Sequence, residues 1–232
     1  MPISLAEVFD ALVEDEAVSQ RYASFVREQI HDGTCLDLAC GTGTISERLK
    51  NFFEISGLDI DPAMLIQYKL RNPECKTILG SLSDLHELGS YDAILLFGDS
   101  LNYVLSLDEV KSLLSQALSH LNKDGVFLFD MHTEIRYEEF KEEYLEEGIV
   151  LGHPFQWTIL SLPDQVLNHH FAFYDDQGHA QTLSFDQKVY SLESIMEILK
   201  QLDTRVDIYS DFILGVHPNQ EKYLFVVRKG SL

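Results

Sequence analysis

Residues 36–43 read LDLACGTG, and the reading of this stretch decides the fold. Leu36, Leu38 and Ala39 close a short apolar run that starts at Thr34. Cys40-Gly41-Thr42-Gly43 then turns the chain, and Ile45, Leu49 and Phe52 recur at helical spacing. The pattern is strand, glycine-rich turn, helix. Small residues at the end of a strand let a ligand come close to the backbone, because no Cβ stands in its way. The helix that follows turns free N–H groups to the same point. Sixteen residues after Gly43, at the end of the next strand-like run Phe53–Asp59, stands Asp59. A carboxylate there can accept hydrogen bonds from two ribose hydroxyls, the nucleoside-binding arrangement of the first two strands of a doubly wound sheet. Asp61 directly precedes Pro62 and is the better helix cap, which leaves Asp59 for a ligand.

The alternation continues on both sides of this unit. Residues 4–30 read as helical, with Leu5, Val8, Phe9, Leu12 and Val13, then Tyr22, Phe25, Val26 and Ile30, at helical spacing. After the helix that opens at Asp61-Pro62 come the strand Cys75–Gly80 and the apolar strand Tyr91–Gly98, of the kind buried on both faces of a parallel sheet. Ser106 and Glu109 form a capping box ahead of a helix that ends near Leu121. Val126–Asp130 is the fifth strand. Five strands alternating with helices predict an α/β, doubly wound, mostly parallel sheet. The rhythm then breaks. Residues 134–147 carry seven Glu and read as an exposed acidic helix, and 154–190 alternates as antiparallel strands with a hairpin turn at Asp175-Asp176-Gln177-Gly178. A helix over Ser191–Leu202 and strands over Arg205–Tyr209 and Tyr223–Arg228 end the chain. Residues 1–232 thus read as one domain in which 134–190 is an insertion or cap.

Composition bounds the function. Of 232 residues, 17 are Lys or Arg and 38 are Asp or Glu, a formal net charge of −21. That balance disfavours nucleic acid, whose affinity comes mostly from cations neutralising phosphates, and anionic membrane surfaces for the same reason. Cys35, Cys40 and Cys75 include no C-x-x-C pair, so reduced thiols and a cytoplasmic location are expected. The opening MPISLAEVFDALVEDEA has no secretory-leader pattern, and no run of about 18 apolar residues occurs.

A dinucleotide fingerprint needs G-x-G-x-x-G or a final Ala, but the third position here is Ser46. A P-loop needs Gly-Lys-Ser/Thr, which is absent. LDLACGTG instead closely resembles motif I of the class I S-adenosylmethionine-dependent methyltransferases, and GLDIDPAML (57–65) resembles their second motif. YDAILLFGDSLNYV (91–104) and LNKDGVFLFDMHT (121–133) look like their fourth and fifth strand regions. FDALVEDE and the late inserted strands are similar to a bacterial subgroup of small methyltransferases. The resemblance implies a seven-stranded, Rossmann-like methyltransferase fold with an inserted antiparallel β layer. It also implies S-adenosylmethionine as cofactor and S-adenosylhomocysteine as product. Asp37 and the turn Ala39, Cys40, Gly41, Thr42 and Gly43 would hold the methionine part, with Ala39 where the family often has its first glycine. Asp59 would bind the ribose, and Ile60 and Met64 would line the adenine. Ser81 stands where the family often has an Asp for the adenine amino group, and the Leu82 N–H can serve beside it. Phe97, Gly98 and Asp99 end the fourth strand, where the methyl faces its acceptor.

A sulfonium methyl is already activated, so the protein has mainly to align the acceptor and exclude water. A general base is needed only if the acceptor must lose a proton. Asp99 is read either as a base or as a cap on a short helix, and His132 either as a base that titrates near neutral pH or as a polar loop residue. Asn102 and Tyr103 are candidates for touching the acceptor, an unidentified small molecule or protein group. His169 and His170 alternate across a strand, so both cannot face one site and no metal site is expected. Trp157 reads as a core position of the inserted sheet rather than a residue closing the pocket, and the acidic run as a solvated face rather than a lure for a cationic acceptor. Two other functions fit less of this pattern: an NAD-dependent oxidoreductase, and a nucleoside-cofactor-binding module without chemistry.

Overall fold

The computed structural model describes residues 8, 11–12, 15–142, 144–175 and 177–230. The first long helix, α1 (Glu16–Gln29), starts where Asp15 Oδ1 accepts the Ala17 and Val18 N–H groups at 2.8 and 3.1 Å. Residues 8, 11 and 12 are helical as well; Leu5, Phe9 and Val13 of the expected helix lie outside the described residues. The chain then alternates: β1 (Gly33–Leu38), α2 (Thr44–Leu49), β2 (Phe53–Asp59), α3 (Pro62–Arg71), β3 (Lys76–Leu79), β4 (Tyr91–Leu96), a 3-10 turn (Ser100–Tyr103), α4 (Leu107–Ser119) and β5 (Leu121–His132). Two predicted caps are in place. Asp61 Oδ1 accepts the Ala63 N–H at 2.8 Å, and Ser106 and Glu109 close a capping box.

After β5 come α5 (Glu134–Glu139), four strands β6 (Tyr144–Val150), β7 (His153–Leu162), β8 (Val166–Tyr174) and β9 (Ala180–Lys188), then α6 (Leu192–Gln201), β10 (Thr204–Ser210), β11 (Ile213–Leu214) and β12 (Lys222–Lys229). The main sheet runs β11-β10-β12-β5-β4-β1-β2-β3. β12 is antiparallel to β5 and β10, while β3, β2, β1, β4 and β5 are parallel. The eighth strand is a two-residue piece folded back on β10, added to the seven expected. Helices cover both faces. Val110, Leu113, Ile195 and Leu199 pack with Phe127, Phe129 and Phe225 on one side; Tyr22, Phe25, Leu49 and Tyr68 pack with Leu95 and Leu128 on the other. Strand order reverses between β1 and β4, and a ligand crevice opens at the carboxyl ends beside such a reversal.

The second sheet, β6-β7-β8-β9, is the antiparallel insertion. The predicted acidic helix over 134–147 is only Glu134–Glu139, and Tyr144–Val150 is an edge strand instead. Leu151 and Gly152, both at positive φ, form a two-residue hairpin that pairs Val150 with His153, and ladder bonds outweigh the weak helix preference of the Glu run. The inner face of this cap carries two apolar clusters. Val8, Val150, Phe155, Phe171 and Phe173 form one, and Phe140, Ile159, Leu167 and Val189 the other.

Candidate active site

The glycine turn assigns different work to its residues. Ala39 stands at φ 51 and Gly41 at φ 53, and a Cβ built on Gly41 would meet nothing within 4 Å. The backbone at Gly41 is therefore open on the ligand side. Gly43 is closed: a Cβ there would lie 2.5 Å from Tyr68 and from Asn72 Nδ2, so this glycine lets α3 pack under the turn. Arg71 donates to Thr42 Oγ1 at 2.8 Å, and Cys40 N–H bonds to the Leu58 carbonyl at 2.9 Å, fixing the turn against β2.

Asp59 is buried and faces this turn. Its Oδ2 accepts the Gly41 N–H at 2.8 Å and its Oδ1 the Asp61 N–H at 2.9 Å. A carboxylate offers about four lone-pair positions, so two bonds leave capacity for a diol. Beside it Ile60 is 71% exposed and Met64 half-buried, an apolar wall at the mouth. Ser81 bonds to Ser83, and Leu82 packs on the edge of the core. Asp37 sits deeper: Ser46 Oγ donates to its Oδ2 at 2.6 Å and in turn accepts from Tyr68 at 3.0 Å. Burial pushes the Asp37 carboxyl up to about 6, with the Ser46 hydroxyl pulling the other way.

At the end of β4, Phe97 packs on Tyr22, and Gly98 has φ +73 with nothing within 4 Å of a built Cβ. Asp99 makes no side-chain cap, so its alternative reading as a helix cap fails. Its carboxylate meets Lys222 Nζ at 2.7 Å and lies 3.3 Å from His132 Nδ1. Sheet register brings these groups together, because Lys222 is the cross-strand partner of His132 on β5. Asp130, two residues earlier on the same face, lies 3.5 Å from Lys222, takes the Tyr22 hydroxyl on Oδ2, and accepts the Asp99 N–H at 3.0 Å on Oδ1. Burial alone would lower the Lys222 pKa; Asp99 and Asp130 together more than offset it and hold it well above the ordinary lysine value. Asp99 is held below its ordinary value, Lys222 and then His132 overcoming its burial. Burial raises Asp130.

Asn102, expected to touch the acceptor, is fully buried and occupied at both ends. Its Oδ1 accepts the His132 N–H at 3.1 Å and its Nδ2 donates to the Lys188 carbonyl at 2.7 Å, so it ties the turn after β4 to β5 and the cap. Tyr103 stacks on Phe185 of the cap at 5.3 Å. His132 Nε2 lies 3.2 Å from Gln187 Oε1. His169 is buried while His170 is exposed, as strand alternation requires. Trp157 sits on the same inner face and donates to His169 Nδ1 at 3.3 Å. Burial, then His132, pushes the His169 pKa down from 6.5 to about 4. A folded-state pKa below the unfolded one means this residue costs stability as pH falls from 6.5 toward 4 and nothing above that window. Tyr22, Asp130, Gln187 and Lys222 were not singled out by the sequence; a charged residue closing an apolar run, as in VFLFD, was the available signal.

A model of a methyltransferase domain matches residues 35–125. A Bacillus subtilis (strain 168) protein, "Putative methyltransferase YqeM", is 27% identical over 205 residues, covering 84% of this chain and 83% of its own. An S-adenosylmethionine-dependent methyltransferase from Clostridium acetobutylicum ATCC 824 superposes with a TM-score of 0.82 at 22% identity, covering 97% of this chain and 98% of its own. Together these matches support a class I S-adenosylmethionine-dependent methyltransferase. The sugar N-methyltransferase KedS8 from Streptoalloteichus sp ATCC 53650 shares the methyltransferase's fold, with a TM-score of 0.80 at 18% identity over 99% of this chain and 94% of its own. The open backbone at Gly41 and Gly98, the Asp59 carboxylate with spare lone pairs and the exposed Ile60 fit the cofactor of this methyltransferase. Among the described residues no three His, Cys, Asp or Glu side chains gather as a metal needs, and no helix is long and apolar enough to cross a membrane.

Proposed function

We propose that this methyltransferase acts on a small-molecule amine. The observation that carries the reading is the pair His132 Nδ1 and Asp99 Oδ1, both buried, 3.3 Å apart, and neither with a hydrogen-bond partner. When the ring is neutral, Gln187 Oε1 accepting at His132 Nε2 keeps its proton there and Nδ1 presents a lone pair; when it is protonated, Nδ1–H faces Asp99. Two acceptor atoms facing each other are suited to a proton brought by the substrate. An amine arrives as ammonium and must lose that proton before its nitrogen can attack. His132 Nδ1 takes it, and Asp99 stabilises the resulting imidazolium. Asp99 and Asp130 against one Lys222 leave the cluster with one excess negative charge, which favours a cationic acceptor. The N-methyltransferase among the similar structures supports the same class of acceptor.

S-adenosylmethionine, when bound, supplies a sulfonium methyl open to direct displacement. Asp59 would bind the ribose hydroxyls, the backbone from Ala39 to Gly43 and Asp37 the methionine part, and Ile60, Met64, Ser81 and Leu82 the adenine side. Phe97 and Gly98 would flank the transfer point. The cap would cover it and keep water out, and Tyr103 would lend the pocket a wall. The test is release of S-adenosylhomocysteine with a panel of small aliphatic amines and amino sugars, each paired with its hydroxyl counterpart. Turnover is expected with amines; turnover confined to the hydroxyl compounds would contradict the reading.

A further inference from the structure

Between the two apolar clusters of the cap's inner face lies a polar centre that the chemistry above does not use. His169 stacks on Phe185, ring centroids 4.6 Å apart and planes 11° apart, with Trp157 at its edge. Indole N–H is a donor only, so the 3.3 Å contact from Trp157 makes His169 Nδ1 an acceptor and places the ring proton on Nε2. That Nε2 is buried and has no hydrogen-bond partner. Gln187 is bonded to His132 and leans toward the His169 ring as well, without closing a hydrogen bond of full geometry to its Nε2. A buried donor left unpaired costs about tenfold to a hundredfold in an equilibrium, which a ligand oxygen would relieve.

We infer that His169 is the specificity-determining donor of the acceptor site: its Nε2–H hydrogen-bonds an oxygen, hydroxyl or carbonyl, that the amine substrate carries beside its nitrogen. The acceptor class is thus an oxygenated amine, held at its nitrogen by His132 and at its oxygen by His169. Because burial keeps the ring neutral at neutral pH, it offers one donor and no charge. This rests on the amine reading above.

The experiment uses the full chain saturated with S-adenosylhomocysteine and two probes, trans-2-aminocyclohexanol and cyclohexylamine. They share ring and amine and differ in one hydroxyl. Nitrogen-15 NMR should find His169 protonated at Nε2 in the wild type and divided between the two tautomers in Trp157→Phe. Aminocyclohexanol should move the Nε2–H resonance and cyclohexylamine should not. In transfer assays the wild type should prefer aminocyclohexanol through KM by about tenfold. His169→Phe should erase that preference, and His169→Gln, which keeps an N–H, should restore part of it. An Nδ1–H tautomer, a resonance that neither probe moves, or a preference that survives His169→Phe would overturn the inference. If neither probe is methylated but aminocyclohexanol still moves the resonance, the amine reading fails and the donor assignment stands.

Discussion

Replacing Lys222 by alanine should cost the fold about 3–5 kcal/mol at neutral pH, the range found when one partner of a buried charge cluster is removed. The ammonium sits 2.7 Å from Asp99 and 3.5 Å from Asp130, and Asp130 has no exposed surface. Without Lys222 two close carboxylates face each other in a medium that solvates neither. Their pKa values must then rise above the unfolded-state values, so the variant binds protons more tightly folded than unfolded. By linkage its deficit is full above that window and shrinks as pH falls through it. Urea unfolding at neutral and mildly acidic pH checks both parts. A loss under about 1 kcal/mol, or a deficit that grows on acidification, would sink the account of this cluster.

The second large effect concerns rate. His132→Asn keeps a polar side chain of similar reach but removes the basic Nδ1 next to Asp99. Turnover of the best amine from the panel should drop by about 10²–10⁴-fold, the usual worth of a positioned base. Affinity for S-adenosylhomocysteine and the thermal midpoint should stay near wild type, because His132 belongs to the acceptor side. Single-turnover rates with pre-bound cofactor separate these quantities. A variant that keeps its rate but loses cofactor would move His132 to the other half of the site.

What could be read in advance was local. The glycine turn, the capping roles of Asp61 and Ser106, and the alternation of His169 and His170 depend on neighbours a few residues away, and each stands as read. Two local signals misled. The Glu run looked helical, but residues 144–150 gain a strand partner in β7 that no window of sequence displays. Asn102 reads in sequence as an acceptor contact at the carboxyl edge of the sheet, but both ends of its side chain bridge β5 and the cap across 30 and 86 positions of chain. The charge cluster lies further out of reach. Lys222 meets Asp99 over 123 positions and Asp130 over 92, through the register of β12 on β5, which no local pattern encodes. The cap's polar centre is hidden for the same reason, since strands β7, β8 and β9 place Trp157, His169 and Gln187 together only once paired.

The central claim is that Asp59 clasps the sugar of the cofactor. Calorimetric titration of S-adenosylhomocysteine into wild type and Asp59→Ala, both first shown to unfold cooperatively, tests it without any knowledge of the acceptor. Two hydrogen bonds to a charged oxygen pair are worth about 1.5–3 kcal/mol each, so the variant should bind at least about 100-fold more weakly. Equal affinity in the two proteins would contradict the claim.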